Sequence, residues 1–334
     1  MTDWTLLAPD DDARALDEAA GAQFAALRGP DAMRAAIDGA PADDGWKVLA
    51  DGGYPDIAVP EDLGGAGRLI DLAVVLEAAG RTLLTPGLLP SALATRAQLA
   101  AGVHRAEFRS RPGGFALAGG RVAGGRCSVE RAHVLGGLGA ATLTLVVAGA
   151  DGAWVAVVDP QADGVELVRE TTVIDPSRPV PAYRLTNVRC LAEGAVELER
   201  ALAECRVCLG ADLLGTAEGA LTAAIAHAQS RRQFGQPIGA FQAVKHQLAE
   251  AYVAVERARS LTYGAALGES SPLLANAAAA EAAVLVASRY TQLMGAMGVT
   301  FEADCHLFLR RAHQTAGLLG TPDELYAAAA REAR

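Results

Sequence analysis

The spacing of apolar residues changes twice along the chain, and this change limits the possible folds more than any other feature. Near residue 75, Leu72, Val75 and Leu76 recur every three or four positions, as on one face of a helix. From about residue 107, short runs rich in Val, Leu and Thr are separated by Gly, Asp and Pro, which is typical of strands. Helical spacing returns near residue 199. We therefore predict a mainly α protein with a small antiparallel middle β-domain, with domains at 1–106, 107–198 and 199–334.

Individual elements follow from the same patterns. The expected early helices lie at residues 10–27, 45–50, 70–81 and 91–99, and the expected strands at 115–117, 141–148, 153–158, 165–169 and 182–188. After residue 199, positions from Phe241 to Arg259 recur every three or four residues and predict one long helix. Ser271-Pro272 resembles the start of a second helix that reaches about Met297. The pattern Thr321-Pro322-Asp323-Glu324 is a capping box and predicts a last helix.

Composition and charge argue against several kinds of partner. The 29 Lys and Arg against 39 Asp and Glu give a net charge of −10, which disfavours nonspecific nucleic-acid binding. The most apolar window, residues 277–299, contains Glu281 and Arg289, so a membrane-spanning helix is not expected. Residues 1–12 have no basic stretch before an apolar one, and the five cysteines form no regular framework. We expect a cytoplasmic protein with reduced thiols and neither a nucleic-acid nor a membrane partner.

Motifs of common enzyme chemistry are incomplete. Cys205 and Cys208 have the spacing of half a zinc site, with Cys305 and His306 as distant complements, but both pairs lie outside the tight turns such sites use. The Gly136–Gly139 segment does not complete a dinucleotide-binding motif. No Gly-x-Ser-x-Gly nucleophile elbow occurs. We expect buried structural thiols and no metal site.

The segment 230–246 is the most informative part of the chain. A long helix ends there at a compact Gly/Pro turn that carries Arg231, Arg232 and Phe234, and a second long helix follows. Arginines in such a turn suit a phosphate-bearing ligand, because the guanidinium donates two parallel hydrogen bonds. An ordinary helix–helix corner with a solvated basic patch explains the same residues, and composition alone favours that interpretation.

The sequence of this segment resembles the signature of a known protein family. The pattern Arg-x-x-Phe-Gly-x-x-Ile-x-x-Phe-Gln at residues 231–242 resembles that of the acyl-CoA dehydrogenases. Residues 46–67, 71–80 and 292–302 are similar to three further segments of the same family, and the α–β–α order agrees over nearly the whole chain. On this basis the chain is identified as a member of the acyl-CoA dehydrogenase family.

The resemblance implies a fold and a reaction. The fold has an N-terminal helical domain, a middle β-domain and a C-terminal four-helix bundle. The reaction is α,β-dehydrogenation of an acyl-CoA thioester, in which a carboxylate takes the α-proton and FAD accepts the β-hydrogen as hydride. The implied partners are the acyl-CoA substrate and an electron-transferring flavoprotein.

Carried over residue by residue, the resemblance implies part of an FAD site. Arg231, Gln233 and Phe234 match positions that hold the pyrophosphate and adenine end of a neighbouring subunit's FAD. Gln292 and Gly295 match a turn that meets the same half of the cofactor, and Ala296 stands where the family usually has a second Gly. Thr321 matches the Thr of the family's Glu-Gly-Thr loop, which also contacts FAD.

The usual base is not found where the resemblance places it. Leu319 occupies the Glu position of the Glu-Gly-Thr loop, and Cys205 occupies the alternative base position just before Arg206. Glu204 is one residue away, rotated by about 100° around the helix. Glu302 matches a family position that is not its usual base. A base must come within hydrogen-bonding reach of the proton it removes, so Glu204 and Glu302 are weak candidates.

These departures resemble the short, base-lacking subunits of actinobacterial heterotetrameric acyl-CoA dehydrogenases. The family segments that face the flavin ring have no counterpart between residues 85 and 115 or between 119 and 133. The resemblance implies a longer homologous subunit that supplies the base, in a dimer or α2β2 tetramer, and bulky substrates that include sterol side-chain esters. The alternatives are a homodimeric enzyme with an unorthodox base and a non-catalytic acyl-CoA-binding or scaffold protein on the same fold.

Overall fold

Helices fill the first and last parts of the chain and strands fill the middle in the computed structural model, which describes residues 11–40, 45–85, 87–150, 152–169 and 174–333. The early helices are α1 (Asp11–Ala26), α2 (Gly29–Ile37), α3 (Trp46–Asp51), α4 (Tyr54–Ile57), α5 (Leu69–Arg81), α6 (Leu88–Ala100) and α7 (Ala106–Arg109). The strands are β1 (Gly113–Gly119), β2 (Arg121–Ala123), β3 (Arg126–His133), β4 (Thr142–Gly149), β5 (Gly152–Val158), β6 (Val165–Arg169), β7 (Ala182–Arg189) and β8 (Ala192–Val196). The last elements are α8 (Leu198–Ser230), β9 (Arg232–Gln233), β10 (Gln236–Pro237), α9 (Gln242–Ala266), α10 (Pro272–Met294), α11 (Cys305–Thr315) and α12 (Pro322–Glu332).

The mainly α fold with a small β region is confirmed, and most expected elements agree within a few residues. The sequence pattern did not predict α2, α11, β3 and β8, nor the short elements α4, α7, β2, β9 and β10. Strand β3 illustrates the reason, because its outward positions carry Arg126, Glu130 and Arg131, so that few apolar residues remain to signal a strand. Residues 1–10, which include most of the segment tested for a leader, lie outside the described residues.

The strands form two four-stranded sheets that share one buried apolar cluster. The strand orders are β1-β4-β5-β8 and β2-β3-β7-β6. The cluster draws Leu143 and Leu145 from the first sheet, and Val129 and Leu185 from the second. All pairs within these sheets are antiparallel except β1 with β4, which is parallel and corrects the expectation of a purely antiparallel domain. The chain passes through β2 and β3 of the other sheet before β4, and this crossover permits the parallel pairing.

The described residues form two compact units, neither of which is continuous in sequence. Unit 1 contains the described residues up to 38, residues 73–84 and residues from 209 onward, and unit 2 contains residues 39–72 and 85–208. Two helices, α5 and α8, contribute residues to both units. The three-domain division expected from the sequence stays a prediction.

In unit 1, glycines bring α5 and α8 unusually close together. A Cβ atom added at Gly215 would lie 1.9 Å from the carbonyl oxygen of Glu77, and one added at Gly219 would lie 2.5 Å from that of Arg81. In the other direction, a Cβ atom at Gly80 would lie 2.0 Å from the carbonyl oxygen of Asp212. Only glycine allows this approach, because any side chain would collide with the facing backbone.

One helix in the described part of the chain is long and apolar enough to span a membrane by length and composition. It is α8, rather than the 277–299 window considered from the sequence, and 78% of its most apolar stretch is buried inside the protein. That burial is typical of a core helix.

Candidate functional site

The predicted phosphate-binding segment forms a tight hairpin after the last turn of α8. Strands β9 and β10 pair antiparallel, and the two residues between them, Phe234 and Gly235, both have positive φ angles of 51° and 83°. Positive φ at both positions is the geometry of a two-residue hairpin turn and is uncommon for a bulky residue such as Phe. The Arg232 guanidinium donates to the Gly235 carbonyl at 3.0 Å, and the Ile238 amide donates to the Arg231 carbonyl at 2.8 Å. The backbone of the hairpin is therefore closed by its own hydrogen bonds.

The side chains on this hairpin point outward. Phe234 is 92% exposed, and its ring meets that of Phe241 edge to face with a centroid distance of 6.1 Å. Arg231 and Gln233 are also exposed. The Gln233 amide nitrogen donates to the Arg232 carbonyl at 2.9 Å, whereas the Arg231 guanidinium makes no hydrogen bond to any residue in the described ranges. The hairpin thus presents a cation and a large aromatic ring to solvent.

The end of α10 lies beside the end of α8. The imidazole of His227, one turn before Arg231, is hydrogen-bonded to the backbone of Leu293. Burial lowers the pKa of His227, which keeps the ring neutral near pH 7. Gln292 and Gly295 are exposed at this helix end, and Gly295 terminates α10 with a φ of 62°. The structure therefore places these two residues close to the base of the hairpin.

Thr321 occupies the start of α12, where the predicted capping box is confirmed. Its hydroxyl accepts from the Glu324 amide at 3.4 Å, and its own amide donates to the Glu324 carboxylate at 2.9 Å. The next two residues line an exposed groove of about 840 Å³ together with Leu285 and Ser288 of α10. Ser288 is one turn, about 6 Å, before Gln292 along the helix. Thr321 thus lies near the middle of α10, and the hairpin near its end.

The two positions where the family places its base hold side chains that cannot act as one. Leu319 is apolar and 4% exposed. Cys205 is completely buried in unit 2, and its thiol donates to the carbonyl oxygens of Leu93 and Ala201 at 3.4 and 3.3 Å. Burial, with Cys208 and Glu204 nearby, raises the pKa of Cys205 well above its usual value. The thiol therefore stays protonated.

The Glu204 carboxylate is paired with the guanidinium of Arg96. Arg96 is 6% exposed; its Nε donates to the Glu204 carboxylate at 2.6 Å, and its Nη1 donates to the Ala58 carbonyl at 3.0 Å. If the carboxylate moved away to take a proton from a substrate, it would leave a buried guanidinium unpaired, which typically costs ~3–5 kcal/mol. Glu204 is thus better explained as the counter-ion of Arg96 than as a base.

Glu302 lies on an exposed loop between α10 and α11. Its carbonyl oxygen accepts from the Arg34 guanidinium at 3.3 Å, and the same guanidinium forms an ion pair with Asp304. The carboxylate side chain itself has no hydrogen bond or ion pair with any residue within the described ranges. An exposed carboxylate on a surface loop lacks the enclosure that holds a base against its substrate.

The cysteines of the incomplete zinc motif are buried. Cys208 is buried beside Cys205, and burial raises its pKa to about 12. The Cys305 thiol is buried and donates to the Gly298 carbonyl at 3.6 Å. Among the residues that the structure describes, no three His, Cys, Asp or Glu side chains are grouped so as to hold a metal ion.

Sequence reasoning did not identify one residue that shapes the site, His227, which joins the ends of α8 and α10. It named Arg232 in the turn but not its bond to the Gly235 carbonyl, which closes the hairpin. The position of His227, four residues before Arg231 on the same helix, is the signal that could have found it, because residues four apart share a helix face.

Comparisons with known proteins show the family of the chain. Residues 192–332 match the acyl-CoA dehydrogenase C-terminal domain family. Acyl-CoA dehydrogenase IpdE2 of Mycobacterium tuberculosis is 32% identical over 332 residues, covering 96% of this chain and 96% of that protein. These matches define the class: the chain belongs to the acyl-CoA dehydrogenase family.

Two solved structures resemble the whole chain. A variant of the Tcur3481–Tcur3483 steroid ACAD is 27% identical with a TM-score of 0.81, covering 96% of this chain and 99% of that one. The ChsE4–ChsE5 complex of M. tuberculosis is 24% identical with a TM-score of 0.84, covering 98% of both chains, and supports the fold alone. Within its family, this chain is thus similar to a steroid-directed member and to IpdE2 over nearly its full length.

Proposed function

We propose that this chain is the subunit of an FAD-dependent acyl-CoA dehydrogenase that completes the cofactor site of a homologous partner, which supplies the catalytic base. The observation that carries the proposal is the combination of an outward-facing Arg231–Phe234 hairpin with apolar or protonated side chains at Leu319 and Cys205. The hairpin has residues suited to holding a cofactor, whereas the two positions where the family has its base carry no side chain that can remove a proton.

The residues present fit the pyrophosphate and adenine half of FAD. The Arg231 guanidinium is exposed and makes no hydrogen bond within the described ranges, so both of its terminal nitrogens are available to an anion. The amides of Gln233 and Gln292 are exposed near it and supply neutral donors and acceptors. The exposed ring of Phe234 offers a flat apolar surface suited to a purine.

Bound FAD would accept the hydride from the β-carbon of the acyl-CoA. In this proposal the chain's own residues perform no proton transfer. Arg231 would neutralise the pyrophosphate, Phe234 and the two glutamines would orient the adenine end, and Thr321 would contact the cofactor from the start of α12. The partner subunit would supply the carboxylate for the α-proton, and an electron-transferring flavoprotein would be the electron acceptor.

The similar proteins support a hetero-oligomer and a steroid-derived substrate. One of them, the 27% identical Tcur3481–Tcur3483 structure, is named for two proteins and is a steroid ACAD. We propose by extension that this chain pairs with a longer homologue in an α2β2 tetramer or a dimer, and that the substrate is a bulky acyl-CoA such as a sterol side-chain thioester.

The test is co-expression of this chain with a longer homologous dehydrogenase, followed by a flavin absorbance spectrum and an acyl-CoA-dependent dye-reduction assay. The chain purified alone is expected to carry little FAD and to be inactive, whereas the complex carries both FAD and activity. Robust activity of the lone chain would refute the proposal that a partner subunit supplies the base. Failure of any pairing to bind FAD would favour a non-catalytic acyl-CoA-binding protein.

A pair of variants tests the role of the hairpin within that complex. Replacing Arg231 by Met removes a charge-assisted hydrogen bond worth ~1.5–3 kcal/mol, so FAD should bind roughly 10- to 150-fold more weakly. Lys245→Met is the matched control, since it removes one positive charge from an exposed side chain of α9 that lies outside the hairpin. Equal losses in both variants would indicate a general charge effect and contradict a specific contact at Arg231.

A further inference from the structure

A cluster of buried charges in unit 1 joins α5 to α8 and α9. Glu77 of α5 is 2% exposed. On α9, the Tyr263 hydroxyl donates to its Oε2 atom, and the Arg259 guanidinium is paired with its Oε1 atom. On α8, the carboxyl of Glu218 lies beside that of Glu77, and the Arg259 guanidinium reaches both. Three helices therefore meet at one carboxyl group.

The remaining charged groups around Glu77 come from α1, α5 and α9. Arg81 donates to Glu218 at 3.2 Å and to Asp17 of α1 at 2.6 Å. Arg259 also lies 3.6 Å from Glu218 and 3.3 Å from Glu256, whose side chain is 43% exposed. Arg14 of α1 lines the adjoining cavity of about 120 Å³, but its side chain is 63% exposed and forms an ion pair with Asp11.

The groups of this cluster do not balance in charge when every carboxyl is ionised, and Glu77 is the one that is fully buried. Glu77, Glu218 and Asp17 would carry three negative charges against the two positive charges of Arg81 and Arg259. An unpaired charge in the protein interior is costly, and the usual remedy is to neutralise the group. One proton held by the carboxyls would restore the balance.

The closeness of the Glu77 and Glu218 carboxyls indicates where that proton lies. An ionised carboxylate is only an acceptor, so two adjacent carboxyl groups can bond to each other only when one of them carries a proton. The glycine contacts at Gly215 and Gly80 hold the α5 and α8 backbones against each other beside this pair.

We propose that Glu77 and Glu218 share one proton at mildly acidic pH and form a proton-dependent latch that holds α5 against α8 and α9. Loss of the proton places two negative charges side by side in the interior. The closely packed helices then have to move apart to admit water. The adjoining cavity is the route by which water reaches the pair.

The pKa values of the two groups agree with this arrangement. Burial, opposed by Arg259 and reinforced by Glu218, raises the pKa of Glu77 to about 7. The pKa of Glu218 is lowered, because Arg259 and Arg81 outweigh its own burial. The proton therefore resides mainly on Glu77. Because the pKa of Glu77 is higher in the folded state than in the unfolded chain, its contribution to stability is lost as the pH rises through about 7.

The first experiment is infrared spectroscopy of the folded chain at pH 6, which detects the carbonyl stretch of a protonated carboxylic acid. The wild-type protein should show one such buried group, which titrates away as the pH rises. The band should disappear in Glu77→Gln and also in Glu218→Gln, because either change removes the surplus negative charge. Glu256→Gln is the matched control: it also contacts Arg259, but it is half exposed and should leave the band in place.

The second experiment is denaturant unfolding between pH 5 and 8. The folded wild-type protein retains one proton that the unfolded chain loses, so its unfolding constant should rise with pH relative to that of Glu77→Gln. The ratio of the two unfolding constants should increase up to tenfold per pH unit between pH 5 and 7 and level off above pH 7. Absence of the protonated band in the wild-type protein would overturn the latch. Persistence of the band in Glu218→Gln would overturn the sharing of the proton. If Glu77→Gln does not fold, the wild-type and Glu218→Gln spectra still decide the question.

Discussion

The closest helix–helix approach in unit 1 predicts that one glycine of α8 cannot be replaced even by alanine. In Gly215→Ala the new methyl would lie 1.9 Å from the Glu77 carbonyl oxygen and 2.7 Å from its carbonyl carbon. Ordinary van der Waals contact begins at 3.4 Å, so α5 and α8 would have to separate by about 1.5 Å. The facing atoms belong to the backbone and cannot rotate away.

The magnitude follows from three opposing contributions. Alanine favours the helix over glycine by about 1 kcal/mol. Overpacking of a filled interior costs ~1–3 kcal/mol, with the upper end expected for a clash against backbone. Separation of the helices also weakens the bond from Tyr263 to Glu77, and hydrogen bonds to charged or shared-proton groups contribute ~1.5–3 kcal/mol. The net loss for Gly215→Ala is therefore roughly 2–4 kcal/mol.

Gly210→Ala is the matched control on the same helix. Its new methyl would meet the Thr262 hydroxyl at 3.5 Å and the Ala275 backbone at 3.6 Å, which are ordinary contacts. Only the helix propensity changes, so this variant should be as stable as the wild type or more stable by up to ~1 kcal/mol. Urea unfolding and amide hydrogen exchange of α5 measure both effects. The reasoning is refuted if Gly215→Ala equals or exceeds Gly210→Ala in stability.

Three further outcomes are expected. At pH 8 the thiols of the folded chain, including Cys205, should react very slowly with an aromatic disulfide reagent, because burial raises their pKa values. The same thiols should react rapidly after denaturation, and fast labelling of the folded chain would contradict this prediction. Thr321→Ala should lower the free energy of unfolding by about 1 kcal/mol in urea titrations, with Thr321→Ser retaining most of it, since the hydroxyl caps α12. Phe234→Ala should leave the unfolding midpoint unchanged, because the ring is exposed, while reducing the FAD content of the co-expressed complex; unaltered FAD content would remove the ring from the proposed site.

Local sequence patterns predicted the parts of the fold whose signals are contained within a few residues. The capping box at Thr321 is one example, because both hydrogen bonds join residues three apart. The hairpin is another, because Gly235 and the proline after it mark a turn between two long helices. Ser271 shows the limit of this reasoning: the helix begins beside it as expected, but its side chain makes no capping hydrogen bond.

The buried charge cluster could not be predicted in this way. Glu77 meets Arg259 and Tyr263 across 182 and 186 residues of sequence, and on its own helix it occupies a position between apolar neighbours. Only the folded chain brings these groups together. The same applies to Glu204, whose partner Arg96 is 108 residues away. Resemblance to a family pointed to Glu204 as a possible base, and the long-range ion pair explains why it is better assigned to another role.

The division of the chain into discontinuous units also bears on how it folds during synthesis. Residues 73–84 belong to unit 1 but emerge from the ribosome before most of unit 2, which ends at Cys208. At roughly 5–20 residues per second, Glu77 waits about 10–40 s for Arg259 and Tyr263 to be made. The buried Arg311, which donates to the Leu84 carbonyl across 227 residues, arrives later still. The synthesis of unit 2 is therefore complete before the buried partners of residues 73–84 have been made.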